Sequence, residues 1–258
     1  MNGEKIMQNL VDPSAKIGQN VRLGHGVHIY GNVEIGDDCM IGDFSVIGYP
    51  AMTPGLPPLK LGPGAQVRSH AVIYEGSTIG AQLETGHHVV IREGAEIGEN
   101  LRFGNFSDIE GACRIGDFVR MHSYAHVGRG AVIGDFVWLF SLTTLMNDPM
   151  PPSHLAEPVT IGDMATICVN AQLMPGANIG RGAMITSGAV ARGQIPACAV
   201  ITGPEGENVG LTRFVMHMES RTRHPWYKHF ADAYPQRAWD RIEALGAAID
   251  AEAAADIG

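Results

Sequence analysis

Residues 91–116 read IREGAEIGENLRFGNFSDIEGACRIG. Every sixth residue of this stretch is large and apolar: Ile91, Ile97, Phe103, Ile109 and Ile115. Neither a helix of period 3.6 nor an alternating strand produces a period of six. A coil with three flat sides does, with one hexapeptide to each side. Upstream the period runs back through Thr85, Ile79, Ile73, Val67 and Leu61. Beyond one break it resumes as Ile47, Ile41, Ile35, Ile29, Leu23, Ile17 and Val11. Downstream it continues through Met121, Val127, Ile133, Leu139 and Leu145. After a second break come Ile161, Ile167, Leu173, Ile179 and Ile185.

Two further regularities accompany the period. Glycine often follows the apolar residue, as at Gly18, Gly36, Gly80, Gly98, Gly116 and Gly162, where it eases a corner. Four places after the apolar residue stands a small or β-branched one, such as Cys39, Ala71, Ala95 or Ala131. The first and fifth residues of each hexad are therefore expected to point inward. Cys39 and Cys113 become small core fillers, Cys168 takes a corner where glycine is usual, and with Cys198 they form no CxxC pair. The expected fold is an all-β solenoid, a parallel β-helix of about nine coils and on the order of 40 Å long at roughly 4.8 Å per coil. It spans 1–205, with projecting loops at about 48–60 and 146–160. The remaining 206–258 form a tail in which Trp239, Ile242, Leu245 and Ile249 trace a helical stripe, suited to packing on the prism or a neighbouring subunit. His217, His224 and His229 in this tail are too scattered for a metal site.

The composition suits one large core: 258 residues, 45% hydrophobic and only 17% charged. A formal net charge of −9 argues against nucleic acid or an anionic membrane as a partner. No apolar run reaches the roughly 18 residues that membrane insertion requires. The first residues lack the basic-then-apolar order of a secretory signal, so a soluble cytoplasmic protein is expected.

Within this scaffold, residues 120–129 read RMHSYAHVGR. Three hexads per coil place residues 18 apart above one another. His122 and His126 take the second and sixth positions of a hexad, so both point outward or sit at a corner. Asp108 lies 18 residues before His126, and such a carboxylate raises the imidazole pKa and fixes its tautomer. The column through His87 continues as Asn105, Ser123 and Ser141, and that through Glu84 as Arg102, Arg120 and Trp138. Two arginines one strand apart need an anion or a subunit interface against them. One outer face around coils five to eight is thus expected to form a functional cleft. The bland alternative is a solvated or subunit-packed face.

The breaks are GYPAMTPGLPPLK after Ile47 and MNDPMPPSHLAEPVT after Leu145, which add roughly eight and ten residues to a plain step. If neither replaces a hexad, both leave from one corner, five coils apart. Their prolines stiffen them and keep them from adding strands, and loops on a rigid scaffold carry binding residues. The second opens with Asn147 and Asp148.

The hexads over roughly 11–200 resemble the left-handed β-helix acyltransferases. TGHHVVIREGAEIGENLRFGN, VRMHSYAHVGRGAVIGDFVWLFSLTTLMNDPMPPS and EPVTIGDMATICVNAQLMPGANIGRGAMITSGAVARGQIP are similar to the sugar-nucleotide N-acetyltransferases of that family. The resemblance covers about three quarters of the chain. It implies homotrimers with sites between adjacent prisms, acetyl-CoA as co-substrate, and a nucleotide-linked amino sugar (of the 3-amino-3,6-dideoxyhexose type) as acceptor. Carried over, His122 or His126 faces the reacting amine, with Asn147 and Asp148 at the loop entrance. Pro175, Gly176, Gly188 and Ala189 present backbone to the thioester and pantetheine, and Arg192 lies near the CoA phosphates. Asn105, His87, Asp148, Arg102 and Arg120 are the substrate-binding candidates. The chain departs from the family pattern at Cys168, at Thr186-Ser187-Gly188, at Arg192-Gly193 and in the segment TGPEG.

Acyl transfer from a thioester to an amine needs a neutral nucleophile, close approach and a stabilised oxyanion. A histidine general base contributes about 10²–10⁴-fold. His126 oriented by Asp108 fits that role, His122 is the alternative, and outward amides at glycine turns are expected to hold the oxyanion. Three rivals share the fold. An O-acyltransferase of the lipid A type using acyl carrier protein wants a basic docking surface. A non-catalytic scaffold has no use for the histidine cluster. A zinc-dependent γ-carbonic anhydrase needs three histidines, but here the pair is His-x-x-x-His with Asp108 in the remaining place, so no metal is expected.

Overall fold

Each hexapeptide of the computed structural model contributes one short strand, and the strands stack into three sheets of ten, ten and eleven. The structure describes residues 8–216, 218, 221 and 233–255. Sheet neighbours are every third strand in the chain, so the backbone completes one coil per three strands. The register is 18 residues: Arg102 pairs with Arg120, Asp108 with His126, and Arg114 with Val132. We call the sheets A (with Asp108 and His126), B (with Arg114) and C (with Arg120). All pairings are parallel except the last, where Ala199–Thr202 meets Glu207–Leu211 antiparallel and closes sheet C.

The solenoid has ten coils in sheet A where the periodicity suggested about nine. The first begins at Leu10, and the last is shortened. Ile179 pairs with Ile195, only 16 residues on, because four residues rather than six lead from Ala191 to Ile195. The chain therefore has a third departure from the period besides the two loops. Those loops leave sheet A after Val46–Tyr49 and Thr144–Leu145 and return in sheet B at Leu59–Leu61 and Thr160–Ile161. They share one corner, five coils apart.

First-position residues form the core, with Ile29, Ile41, Ile47, Ile73, Ile91 and Ile109 fully buried. Fifth-position Cys39, Ala71, Cys113 and Ala125 fill the space between them. The glycines following the apolar residue serve a purpose other than turning. Gly80 and Gly98 do not have positive φ. A Cβ on Gly80 would lie 2.6 Å from the Gly98 carbonyl carbon one coil away, a distance no methyl tolerates. The left-handed residue comes two places later, and each corner has its own chemistry. It is Asn100, Phe118 and Phe136 between B and C, and His70, His88, Phe106 and Tyr124 between C and A. Between A and B it is mostly glycine, as at Gly76, Gly94, Gly130 and Gly176, with Ala112 in the same place on one coil. A non-glycine residue in this conformation costs about 1 kcal/mol or more. Ring stacking offsets it: His88 on Phe106 at 4.9 Å, Phe106 on Tyr124 at 5.3 Å, and Phe118 on Phe136 at 5.0 Å.

The tail lies along the B–C corner. Its helix, Trp239–Ala255, buries Ile242 and Ile249 with Tyr234 against Phe118, Phe136 and Met164, a second small core, and Trp239 and Leu245 pack at its margin. Arg241 reaches Asp117 at 2.7 Å and also pairs with Asp135, while Arg237 meets Glu99 at 2.9 Å. His217, His224 and His229 lie outside the described residues. Among the described residues no helix is long and apolar enough to cross a membrane.

Candidate active site

His126 and Asp108 start adjacent strands of sheet A with their side chains outward. The His126 Nδ1 is 2.9 Å from Asp108 Oδ2 and 3.2 Å from Oδ1. That hydrogen bond is the main force holding the His126 pKa above its ordinary value, against partial burial that pulls the other way. With Nδ1 engaged, Nε2 is the nitrogen left to exchange a proton with a ligand. The imidazole is 36% exposed and the carboxylate 39%, so the pair is accessible from solvent. The next strand places Thr144 beside His126.

His122 sits on the other side of the corner. Its ring lies 4.7 Å from Phe140 and 6.0 Å from Trp138, and desolvation lowers its pKa. The two histidines thus belong to different environments, one made more basic by a carboxylate and one made less basic by aromatic neighbours. The expected single face is two faces joined at the C–A corner: the dyad on sheet A, the arginine column on sheet C.

On the C side, His87, Arg102 and Asn105 line a shallow hollow with Arg68 and Glu84. The Asn105 Oδ1 accepts the His87 backbone N–H at 2.7 Å, and Ser69 Oγ lies 2.8 Å from His87 Nδ1. Arg102 pairs with Glu84 at 3.4 Å and keeps nearly half its side chain exposed. Arg120 does not join this hollow. It is 3% exposed, donates to the carbonyls of Asn100 and Ala233, and lies 4.6 Å from the centre of the Tyr234 ring. Burial pushes its pKa down to about 10. The partner that the arginine column required is the chain's own tail, so Arg120 is withdrawn as a substrate contact.

The second loop divides its two candidates. Asn147 accepts the Glu157 N–H on its carbonyl at 2.8 Å. Its side chain lies over Gly128, two residues beyond His126. Asp148 is occupied within the loop, accepting from the Ser153 N–H at 2.8 Å, the Ser153 hydroxyl at 2.6 Å and the Met150 N–H at 2.9 Å. These bonds hold its carboxyl below the usual range and tie the loop to itself.

The expected donor-side residues also separate. The Gly176 N–H donates to Glu157 and the Gly188 N–H to Val169, at 2.8 and 2.9 Å. Ala189 is fully buried, with its N–H on the Thr186 carbonyl at 3.0 Å. None of these three amides is free for an oxyanion, because each serves the coil itself. What the glycines do offer is bare backbone at two corners: nothing lies within 4 Å of a Cβ built on Gly188 between C and A, and Gly176 takes a positive φ between A and B. Pro175 precedes it in the same turn. Arg192 is 55% exposed at the short coil and reaches the Pro204 carbonyl at 3.5 Å and Glu205 at 4.0 Å. Among the described residues no three His, Cys, Asp or Glu side chains converge in a metal-binding group.

One feature of sheet A is not apparent from the periodicity. Tyr30, Tyr49 and Tyr74 cluster on the same face as the dyad. A bulge at Gly48, which puts Tyr49 rather than residue 48 opposite Tyr74, hides the column from an 18-residue comparison.

The family described as bacterial transferase hexapeptide (six repeats) matches residues 14–49. No curated protein matches the sequence. Among solved structures, Arabidopsis UDP-N-acetylglucosamine acyltransferase is similar with a TM-score of 0.64 at 19% identity, over 94% of this chain and 93% of that one. LpxA from Acinetobacter baumannii gives a TM-score of 0.47 at 19% identity, over 79% and 72%. Serine acetyltransferase from Neisseria gonorrhoeae gives 0.37 at 24%, over 41% and 40%. By its strands, its register and this likeness, the chain is a hexapeptide-repeat parallel β-helix whose fold matches that of an acyltransferase along nearly its whole length.

Proposed function

We propose that the protein is a cytoplasmic acyltransferase that moves an acetyl or short acyl group from acyl-CoA to the amine of a nucleotide-linked amino sugar. The observation that carries this reading is the outward His126–Asp108 pair on a solvent-accessible face. His126 takes a proton from the amine through Nε2 as the nitrogen attacks the thioester carbonyl. The carbon–nitrogen bond forms, the carbon–sulfur bond breaks, and the proton returns from His126 to the departing thiolate. Asp108 fixes the tautomer and stabilises the imidazolium while it carries the proton. Asn147, whose side chain lies over Gly128, orients the acceptor in this reading. The coils beyond the second loop, with Gly176, Gly188 and Arg192, offer bare backbone and a cation to the CoA. Exposed Phe44, Phe106, Tyr124 and Leu142, 41–54% accessible at the C–A corner, favour a homotrimer in which a neighbouring prism completes the site.

A second reading is O-acylation from an acyl carrier protein. The near full-length likeness to a UDP-N-acetylglucosamine acyltransferase favours it. The dyad serves this reading too, since a hydroxyl acceptor also needs a base. One assay separates the two: release of free thiol from acetyl-CoA with a panel of nucleotide-linked amino sugars and their hydroxyl counterparts. Release with the amine alone supports N-acylation. Turnover only with a hydroxyl acceptor and an acyl carrier supports the second reading, and none with any pair removes both.

A further inference from the structure

Three of the chain's six tyrosines stand on one outward column of sheet A. Tyr30 stacks on His28 at 4.1 Å, meets Tyr49 edge-on at 5.9 Å, and Tyr49 meets Tyr74 at 5.1 Å. A three-sided coil has no structural need for this group, since the core beneath it is supplied by Ile29, Ile47 and Ile73. The strand is bulged to produce it. Ile47 pairs with Ile73 in register, then Gly48 at φ +77 is skipped and Tyr49 is brought opposite Tyr74. Bulges near binding sites commonly re-aim a side chain in this way. Tyr49 remains 42% exposed. The first loop is fastened beside the cluster, with Glu75 accepting from Asn32 at 2.7 Å and from the Ala51 N–H at 3.1 Å, and Asn32 donating to the Leu56 carbonyl at 3.1 Å.

The column leads toward the dyad. The Arg92 guanidinium, on the next strand, lies 5.7 Å from the Tyr74 ring centre and pairs with Glu93 at 3.0 Å. Arg129, three residues past His126, reaches back to the same Glu93 at 3.5 Å. Both guanidiniums are about half exposed. Three strand spacings separate Tyr74 from His126 in sheet A, or about 14 Å. Along one face the order is therefore an aromatic floor, Arg92, then a general base, with Arg129 rising from the coil of His126 and Glu93 between the two cations.

We infer that Tyr30, Tyr49 and Tyr74 form a stacking platform for the base of a nucleoside diphosphate, whose phosphates meet Arg92 and Arg129 and whose attached sugar reaches His126. This deepens the proposed function and rests on its nucleotide-linked acceptor. Aromatic faces stack on bases, and guanidiniums suit phosphate oxygens. The spacing matches an extended nucleoside diphosphate between its base and its sugar.

The test is equilibrium binding of UDP, dTDP and ADP, with inorganic pyrophosphate as control, to the full chain and to Tyr49→Ala, Tyr74→Leu and Arg92→Gln. Circular dichroism and melting temperature check that each variant is folded, and Tyr49→Ala, at an exposed position, is the variant least able to disturb the coil. At least one nucleoside diphosphate is expected to bind, roughly tenfold more weakly to either tyrosine variant. Pyrophosphate binding is expected to change only in Arg92→Gln. Equal nucleoside binding by folded tyrosine variants, or no nucleoside binding by the parent chain, overturns the platform. If the tyrosine variants lose binding but no acceptor of the panel is acylated, the platform stands and the acyl-transfer reading falls.

Discussion

His126 is made a stronger base than free histidine by one hydrogen bond, and this fixes the sign of its pH response. The unprotonated ring is the active form, so turnover is expected to rise with pH through the elevated His126 pKa. Asp108→Asn removes the cause of the elevation. Its acidic limb is expected to move to lower pH, with a drop in kcat, and a pH–rate profile of both proteins checks it. His126→Ala is expected to lose about 10²–10⁴-fold in turnover, and His122→Ala much less, in the thiol-release assay. The same pair acts on stability. A raised native pKa contributes stability that is full below the ordinary histidine value and is lost as pH rises through the elevated one. Glycine makes the second residue-scale case. Gly98→Ala sets a methyl 2.8 Å from the Gly116 carbonyl carbon. It is expected to cost about 1–3 kcal/mol in denaturant titration, whereas Gly188→Ala, with open space around it, meets only its positive φ.

Among the elements, the tail illustrates how a second core is joined to a repeat. The helix supplies Ile242, Ile249 and the preceding Tyr234, and the corner supplies rings in the left-handed position. Arg120 joins the two, and its loss takes the buried guanidinium's bonds from the half-buried Asn100 and Ala233 carbonyls. Arg120→Ala is expected to destabilise the protein by roughly 1–3 kcal/mol and to loosen the tail, visible as faster hydrogen exchange over 236–253. Arg241→Ala breaks two ion pairs that are partly in solvent, and about 1 kcal/mol or less is expected, diminishing with salt. The helical stripe of Trp239, Ile242, Leu245 and Ile249 was legible because period 3.6 is a local property. The docking of Arg120 was not, since it depends on a segment 113 residues away. Arg120 and Arg102 look equivalent in a column 18 residues apart, and only the tertiary path of the tail distinguishes them.

For the whole molecule, a period of six and a register of 18 made the stacking readable, and with it the juxtaposition of Asp108 and His126. The same arithmetic failed wherever the backbone leaves the lattice. It missed the bulge at Gly48 and the four-residue step after Ala191, both of which are choices of backbone geometry with no periodic signature. The outward amides expected at glycine turns are, at Gly176 and Gly188, committed to the coil before them. In a solenoid each coil contacts only its neighbours, so stability grades along the axis. Leu10, Val11 and Ile17 of the first coils are 38–62% exposed, whereas the far end is closed by the antiparallel strand Glu207–Leu211. Hydrogen exchange is expected to be fastest in the first two coils and slowest around 109–145.

All three departures from the regular coil, the two loops and the shortened step, fall at the A–B corner. The B–C corner is spoken for by the tail helix and the C–A corner by stacked rings, so a length change at either would undo contacts along several coils. At the A–B corner the chain can lengthen by ten residues or shorten by two and rejoin the same sheet in register. That corner borders the face carrying His126 and the tyrosines. Descent by insertion and deletion is thus steered toward the one edge where it can alter what is bound while leaving intact what holds the prism together.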